Sequence, residues 1–499
     1  MRSYLLPATA VLILTACAGV PTHDSKLSSS LAATTRGDID EAINTLDAQI
    51  AASADKNDLL LNLEKGELLR IDTRYKESLA ALEIADRKVM LWEETAKTAP
   101  DQLLNQVGAI FMGDSSRTYE GQDYEKVMLT TRMAMNHINV GDLDTARVDI
   151  KRTHEREAVI AEFRARETAK AEQEAKEKGV TVKSKELNGY PVETLEDPAV
   201  LKLKNGYQNA LSHYLAGFVY EALNEPGLAA PGYRKAIELR PDLPVLEEGL
   251  CGLDQRTSFR RQKSVTDVLF IVESGNAPAR QSKKIQFPVP TNNGLVTVSF
   301  SFPVIYPNKD AMELSQVNLG ALSMQTALVT DFNVMARRAL QDELPGIQTR
   351  AAIRAVAKGL VQDQANKKLG PFGGLIGNIV TAATEGEADD RMWRGLPDRV
   401  FIARGFVTPG EYDLRLPNQP DRVHKLVVDG RYMVVPVRVY RNQTYFGKPV
   451  KIGVLAPVMV PAVEQVPTPA ATGKRPGKST KRAKPAKPEA TPASKEKKA

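Results

Sequence analysis

The chain has little sulfur chemistry to offer. Two cysteines, Cys17 and Cys251, occur in 499 residues, too few for a disulfide framework or a cysteine-rich metal site. Five histidines, His23, His137, His154, His213 and His424, lie scattered, with no HExxH pair on one helix face. No G-x-S-x-G elbow is present. The nearest approach to a phosphate loop is Gly473-Lys-Arg-Pro-Gly-Lys-Ser479. It fails on spacing, because three residues separate its glycines where the loop needs four. It fails on context too, since proline- and lysine-rich segments replace the strand and helix that the loop requires. Nothing here asks for a nucleotide, a metal or any other cofactor. With no disulfides, stability must come from apolar cores, and a 42% hydrophobic composition supplies enough for two or three domains.

The first residues have the layout of an export signal. Met1-Arg-Ser-Tyr carries one positive charge, Leu5–Leu14 is apolar, and small residues precede Cys17. The apolar run is too short to span a bilayer as a stable helix. Leu14-Thr15-Ala16-Cys17 resembles the bacterial lipobox, in which the cysteine sulfur is diacylated. Ala18 in place of aspartate fits outer-membrane delivery by analogy with enteric sorting. Residues 1–16 are then the signal peptide, and 17–36, rich in Ser and Thr, a flexible tether.

Charge is unevenly placed. Residues 474–499 hold ten Lys or Arg and two Glu, a charge of +8. The net charge is +6, so the rest of the chain sums to −2. The basic character therefore belongs to a tail, 459–499, whose Lys, Pro and Ala content cannot form a packed core and reads as disordered. Export removes nucleic acid as its partner; anionic peptidoglycan or lipopolysaccharide remains.

Between these ends the period of the apolar pattern changes once. Residues 37–255 read as helical hairpins with internal repetition. The clearest unit spans 210–241. Gly217 and Tyr220 fall on one helix, Ala229, Tyr233 and Ala236 on the next, and Pro241 closes the pair. Small residues at 217, 229 and 236 let two antiparallel helices approach, and Tyr220 and Tyr233 fill the groove between hairpins. Gly66 with Ser78, Leu82 and Ala85, and Ala134 with His137, Ala146 and Ile150, repeat the same frame. Stacking such hairpins builds the core that one hairpin lacks. Residues 256–458 hold alternating or β-branched runs between turn residues, as in 267–275, 283–291 and 294–307, and again from 399 to 440. A helical pattern near 326–384 interrupts them, itself broken at Leu344-Pro-Gly346. The fold class is thus α+β and multidomain: a tetratricopeptide-like (TPR) array, an antiparallel sandwich-like β domain with a helical insertion, and the tail.

The lipobox, the interrupted repeat array, "YEGQDYEKVM" (119–128), "EADDRMWRGLPDRVFIAR" (387–404) and "PGEYDLRL" (409–416) together resemble a family of proteobacterial TPR outer-membrane lipoproteins. The resemblance covers about residues 37–450. It carries an association with regulators of peptidoglycan synthases and transfers no catalytic residue.

The remaining candidates are few. Glu387 and Asp389 lie in the densest carboxylate group and are the only basis for a cell-wall glycan hydrolase, which needs two opposed acids; a solvated turn explains them as well. Trp393 is expected to anchor that turn in the sandwich core. Arg350, Arg354 and Lys358 recur every four residues and form a cationic stripe for an anion or a partner, or else an ordinary solvated face. Asp123 is expected to cap a helix beginning at Tyr124, with Tyr119 on its first turn. Cys251 is expected to be buried. The sequence therefore points to a non-enzymatic outer-membrane lipoprotein facing the periplasm. It would hold envelope proteins in its TPR groove and the membrane through Cys17. Its roles would lie in envelope biogenesis: regulation of peptidoglycan synthesis, or accessory work in outer-membrane or secretion complex assembly.

Overall fold

The computed structural model describes residues 22–106, 118–177, 189–258, 264–291, 294–348 and 388–455. Cys17, Arg350, Arg354, Lys358, Glu387 and the tail 459–499 lie outside them. Among the described residues, four helical hairpins succeed one another: α1 (His23–Arg36) with α2 (Ile39–Ala52), α3 (Leu59–Ile71) with α4 (Tyr75–Thr98), α6 (Asp123–Val140) with α7 (Leu143–Glu177), and α9 (Ala210–Ala222) with α10 (Pro226–Leu239). The short helices α5 (Pro100–Gln106), α8 (Pro198–Leu201), α11 (Pro244–Cys251) and α12 (Leu253–Thr257) pack around them.

The repeats share one internal geometry. The first helices α3, α6 and α9 carry a small residue, Gly66, Ala134 or Gly217, at the crossing. A Cβ on Gly217 would sit 2.7 Å from the Tyr233 ring, and one on Gly66 would sit 2.4 Å from Leu82. Seven residues after that crossing, the turn residue adopts left-handed backbone: Thr73 (φ 63°), Gly141 (φ 86°) and Asn224 (φ 63°). Ala146, Ala229, Tyr233 and Ala236 are wholly buried on the second helices. Tyr220 is half-buried under Arg147, and Pro241 is exposed in the turn after α10.

Strands β1 (Thr266–Ser274), β6 (Ala327–Asp331), β7 (Arg399–Val407), β10 (Tyr432–Val439), β11 (Thr444–Phe446) and β12 (Val450–Ile452) form a six-stranded sheet in the order β11-β10-β1-β7-β6, with β12 beside β10. The hairpin β2 (Arg280–Thr291) and β3 (Gly294–Ile305) stands apart. The strands β4 (Gln316–Leu319), β5 (Leu322–Gln325), β8 (Gly410–Leu416) and β9 (Gln419–Val428) make a four-stranded sheet in the order β5-β4-β8-β9.

The six-stranded sheet is covered on both faces. Val268, Phe270 and Val272 of β1, with Phe401, Met433 and Val435, pack on Val317, Leu319, Leu414 and Leu426 of the smaller sheet. The alternate residues Leu269, Ile271, Val400, Ile402, Tyr432 and Val434 join the core of the helical array. Hence the layers are helix, sheet and sheet. The described helical and β segments, expected as separate domains divided at 255, share one continuous core within a single compact unit. The sandwich is also mixed: β1 and β10 run parallel from Asp267↔Tyr432 to Ser274↔Val439. A strand buried on both sides, as all of β1 is, reads as a continuous apolar run, which hides its direction.

Three segment assignments change. Residues 23–36, expected as tether, form α1, capped by Thr22 and closed by Gly37 at φ 105°. Its buried side is Leu27, Ser30, Ala33 and Thr34, too small and polar to show as an apolar stripe. Residues 327–331, expected as helix, pair with β7 as an edge strand. Helix α13 then runs over 332–348 and continues through Pro345; its first turn is capped by the Asp331 carboxylate, which accepts from Val334 N at 2.9 Å.

Candidate functional site

The first helices of the hairpins, α3, α6 and α9, are buried on nearly every side. Second helices cover one side and the chain's own sheet covers the other. The groove face expected to receive a partner protein is therefore occupied from within. The reason lies in the side chains that α3, α6 and α9 turn toward β1. On β1 the inward residues read Asp267, Leu269, Ile271 and Glu273, two apolar residues bracketed by two acids. Each acid meets a separate set of charged groups.

At one end, Glu273 contacts Arg70 of α3, Arg132 of α6 and Arg438 of β10. Glu67 of α3 joins them, 2.7 Å from Arg70 and 3.1 Å from Arg132. Three guanidinium groups thus surround two carboxylates, all nearly inaccessible to water. Burial by itself would push Glu273 up, yet Arg132, Arg70 and Arg438 together hold it at about 2. Glu67 is pulled down by the same arginines against its own burial. At the other end, Arg404 of β7 donates to both Asp267 oxygens, at 2.9 and 2.8 Å. It donates also to Glu221 of α9 at 2.8 Å and to the Tyr233 hydroxyl at 3.0 Å. Tyr233 in turn donates to Glu221 at 2.6 Å. Glu221, whose burial would raise it, is held low by Arg404 and Arg256.

A third contact holds a loop rather than a strand. Residues 388–398 meet the first turns of α1 and α6 and the middle of α3. Three successive backbone amides there meet two buried carboxylates: Trp393 N donates to Glu125 at 2.7 Å, Arg394 N to Glu64 at 2.6 Å, and Gly395 N to Glu64 at 2.8 Å. Only a residue without a side chain fits at 395, since a Cβ there would lie 2.6 Å from the Glu64 carboxylate. Burial pushes the Glu64 carboxyl up to about 8 despite those amides, and raises Glu125 despite the Tyr119 hydroxyl that donates to it at 2.5 Å. His23 N donates to Asp390 at 2.7 Å, and Arg394 pairs with Asp24 at 2.6 Å, fastening α1 to the same loop.

The sequence candidates fall as follows. Asp389 is bound by Arg391 through both oxygens, at 2.7 and 2.9 Å. Trp393 is wholly buried, but in the core between helices and sheet rather than between the two sheets. The cap of α6 is Gln122, its amide held by Glu125 at 3.0 Å, while Asp123 binds Arg164 and Lys126 instead. Cys251 is exposed at the end of α11, because its helix is short and turns the residue outward.

Sequence reasoning missed what the fold assembles from distant segments. His154 of α7 stacks on His213 of α9, centroids 4.9 Å apart, with Glu157 3.1 Å from His213 but outside hydrogen-bond geometry. Burial and the neighbouring His213 lower His154. Between α9, α10, β6 and α13 is a cavity of about 20 Å³ lined by Asn205, Asn209, Arg240 and Asp331, room for a water. Among the described residues, no group of three or more His, Cys, Asp or Glu side chains is placed to hold a metal, and no helix is long and apolar enough to cross a membrane.

The structure thus defines an α+β protein whose stacked helical hairpins grip their own mixed sheet through paired charges. No protein-family model matches the chain, and no curated protein matches it. Among solved structures it is similar to a tetratricopeptide repeat protein from Parabacteroides merdae, with 13% identity over 46% of this chain and 98% of that one, at a TM-score of 0.14.

Proposed function

We propose that this chain is a non-enzymatic scaffold of the bacterial outer membrane, anchored by lipid on Cys17 and facing the periplasm, that works by holding other envelope proteins. Cell-wall synthesis or envelope-complex assembly is its setting. One observation carries the non-catalytic reading: the carboxylates and guanidiniums brought together by the fold, Glu67, Glu273, Glu221 and Asp267 with Arg70, Arg132, Arg404 and Arg438, neutralise one another in the interior. An acid or base spent on such a pair is not poised to exchange protons with a substrate.

Because α3, α6 and α9 are taken up by the sheet, partners meet the second helices instead. There Met90 and Leu91 of α4, Val148 of α7 and Leu228 of α10 are exposed, and helical faces of this kind suit helical or extended partners. The cationic tail, 459–499, extends the reach toward anionic peptidoglycan or lipopolysaccharide. Crosslinking in intact envelopes followed by purification should recover the same envelope proteins repeatedly, and recovery of none refutes the scaffold. In a deletion strain, a chain with both Glu387→Gln and Asp389→Asn should restore function fully; a loss would revive the glycan hydrolase.

A further inference from the structure

Composition makes residues 17–36 a tether of some twenty residues, long enough to let the body roam. The fold shortens it. Helix α1 begins at His23, leaving only residues 18–22 between Cys17 and folded structure. Five residues, even fully extended, carry His23 no more than about 20 Å from Cys17.

Helix α1 is not free to unwind and lengthen that span. Leu27 and Ala33 pack with Ala42, Ile43 and Leu46 of α2 and with Leu68 and Leu69 of α3. The Ser30 hydroxyl donates to Ala42 O at 3.1 Å, and Gln49 donates to Lys26 O at 2.7 Å. Tyr445 of β11 donates to Thr34 O at 2.7 Å. At the N-terminal end, His23 N holds Asp390 and Asp24 holds Arg394, so this end is fixed to the α3 and α6 carboxylates through the 388–398 loop. Five separate attachments join α1 to the rigid body along its whole length.

We infer that the surface around the start of α1, with Lys26 and the 388–398 loop, lies against the lipid bilayer, so that the array stands on the membrane by its first hairpin with α11 at the far end. This rests on lipidation of Cys17. The partner is the headgroup surface itself, and the argument is one of reach. A lipid-fixed Cys17 keeps the α1 end within about 20 Å of the interface, while each further hairpin in the stack adds roughly 10 Å of separation.

The native thiols make the test simple, since acylated Cys17 takes no label. The full lipidated chain with Cys251→Ser and Lys26→Cys carries a nitroxide at Lys26, and the otherwise unaltered chain carries one at Cys251. Both are reconstituted in vesicles of phosphatidylethanolamine and phosphatidylglycerol doped with a gadolinium-chelating lipid. The Lys26 label should relax at least threefold faster with gadolinium than without, and the Cys251 label should be little changed. Inserting twenty Gly/Ser residues between Thr22 and His23 should remove the Lys26 effect while the protein still floats with the vesicles. Equal relaxation at both labels, or an unaltered Lys26 label on floating protein, overturns the orientation. If Cys17→Ser protein floats as well as the parent, lipidation itself is refuted, and the inference falls with it.

Discussion

Replacing Glu64 with Gln tests the most unusual electrostatic feature of the fold. Glu64 is wholly buried, accepts two backbone amides from the 388–398 loop, and has its carboxyl raised to about 8 from 4.5 because burial outweighs those amides. A raised carboxyl favours the folded state when protonated. Its stabilisation is fully present below pH 4.5 and is lost as pH rises through about 8. Between pH 5 and pH 8, linkage over that interval amounts to about 3–4 kcal/mol, at about 1.4 kcal/mol per pK unit. Glutamine cannot ionise, so the Glu64→Gln protein lacks this dependence. Urea unfolding of parent and variant at pH 5, 6.5 and 8 isolates it, because titrating groups that do not interact with Glu64 cancel in the difference. The variant, destabilised at pH 5 by its imperfect amide contacts, should gain on the parent by a few kcal/mol at pH 8. Glu125 adds its repulsion to Glu64, so part of the gain passes through relief of that pair. Parallel pH profiles would refute the reasoning and show Glu64 ionised in the fold.

Four further outcomes are expected. Glu273→Gln or Arg132→Met should each cost about 3–5 kcal/mol in chemical unfolding, since each strands buried charges of the Glu67–Arg70–Arg132–Arg438 group. An additive cost in the double variant would show that the two do not share one network. Thr73→Gly should stabilise by about 0.5–1 kcal/mol, because a β-branched residue at φ 63° is strained; a lower melting temperature contradicts this. Gly217→Ala should destabilise by about 1–2 kcal/mol, the 2.7 Å encounter with a Tyr233 ring held by Glu221 and Arg404 outweighing the roughly 1 kcal/mol gained in helix propensity. Cys251 should react with a thiol reagent in the native protein nearly as fast as in denaturant, as its exposure requires; strong native-state protection would contradict this.

Much of the helical half was legible because its signals are local. The small residue at the crossing, the turn seven positions on and the small residues of the second helix repeat within each unit, so Gly66, Ala134 and Gly217 announce the packing themselves. Strand positions near 267–275 and 399–440 were legible from alternating or β-branched runs between turn residues. Helix α1 was not, since it buries Ser30, Ala33 and Thr34 rather than large apolar residues, nor was β6, whose state is set by pairing with β7. Of the candidate site, the motif around Trp393 drew notice, but nothing local tells that its amides seek Glu64 and Glu125.

The sequence alone thus determined most of the elements, the repeat register and the segregation of positive charge into the tail, because each depends on residues near one another in the chain. Tertiary structure decided the rest. It set the parallel pairing of β1 with β10, joined helices and sheet into one core, and turned the array's inner face toward its own sheet. Buried charge is the physical reason: Glu67, Arg70, Arg132, Glu221, Glu273, Arg404 and Arg438 look like solvated surface in a linear chain, and desolvating them is tolerable only where partners far away in sequence arrive together.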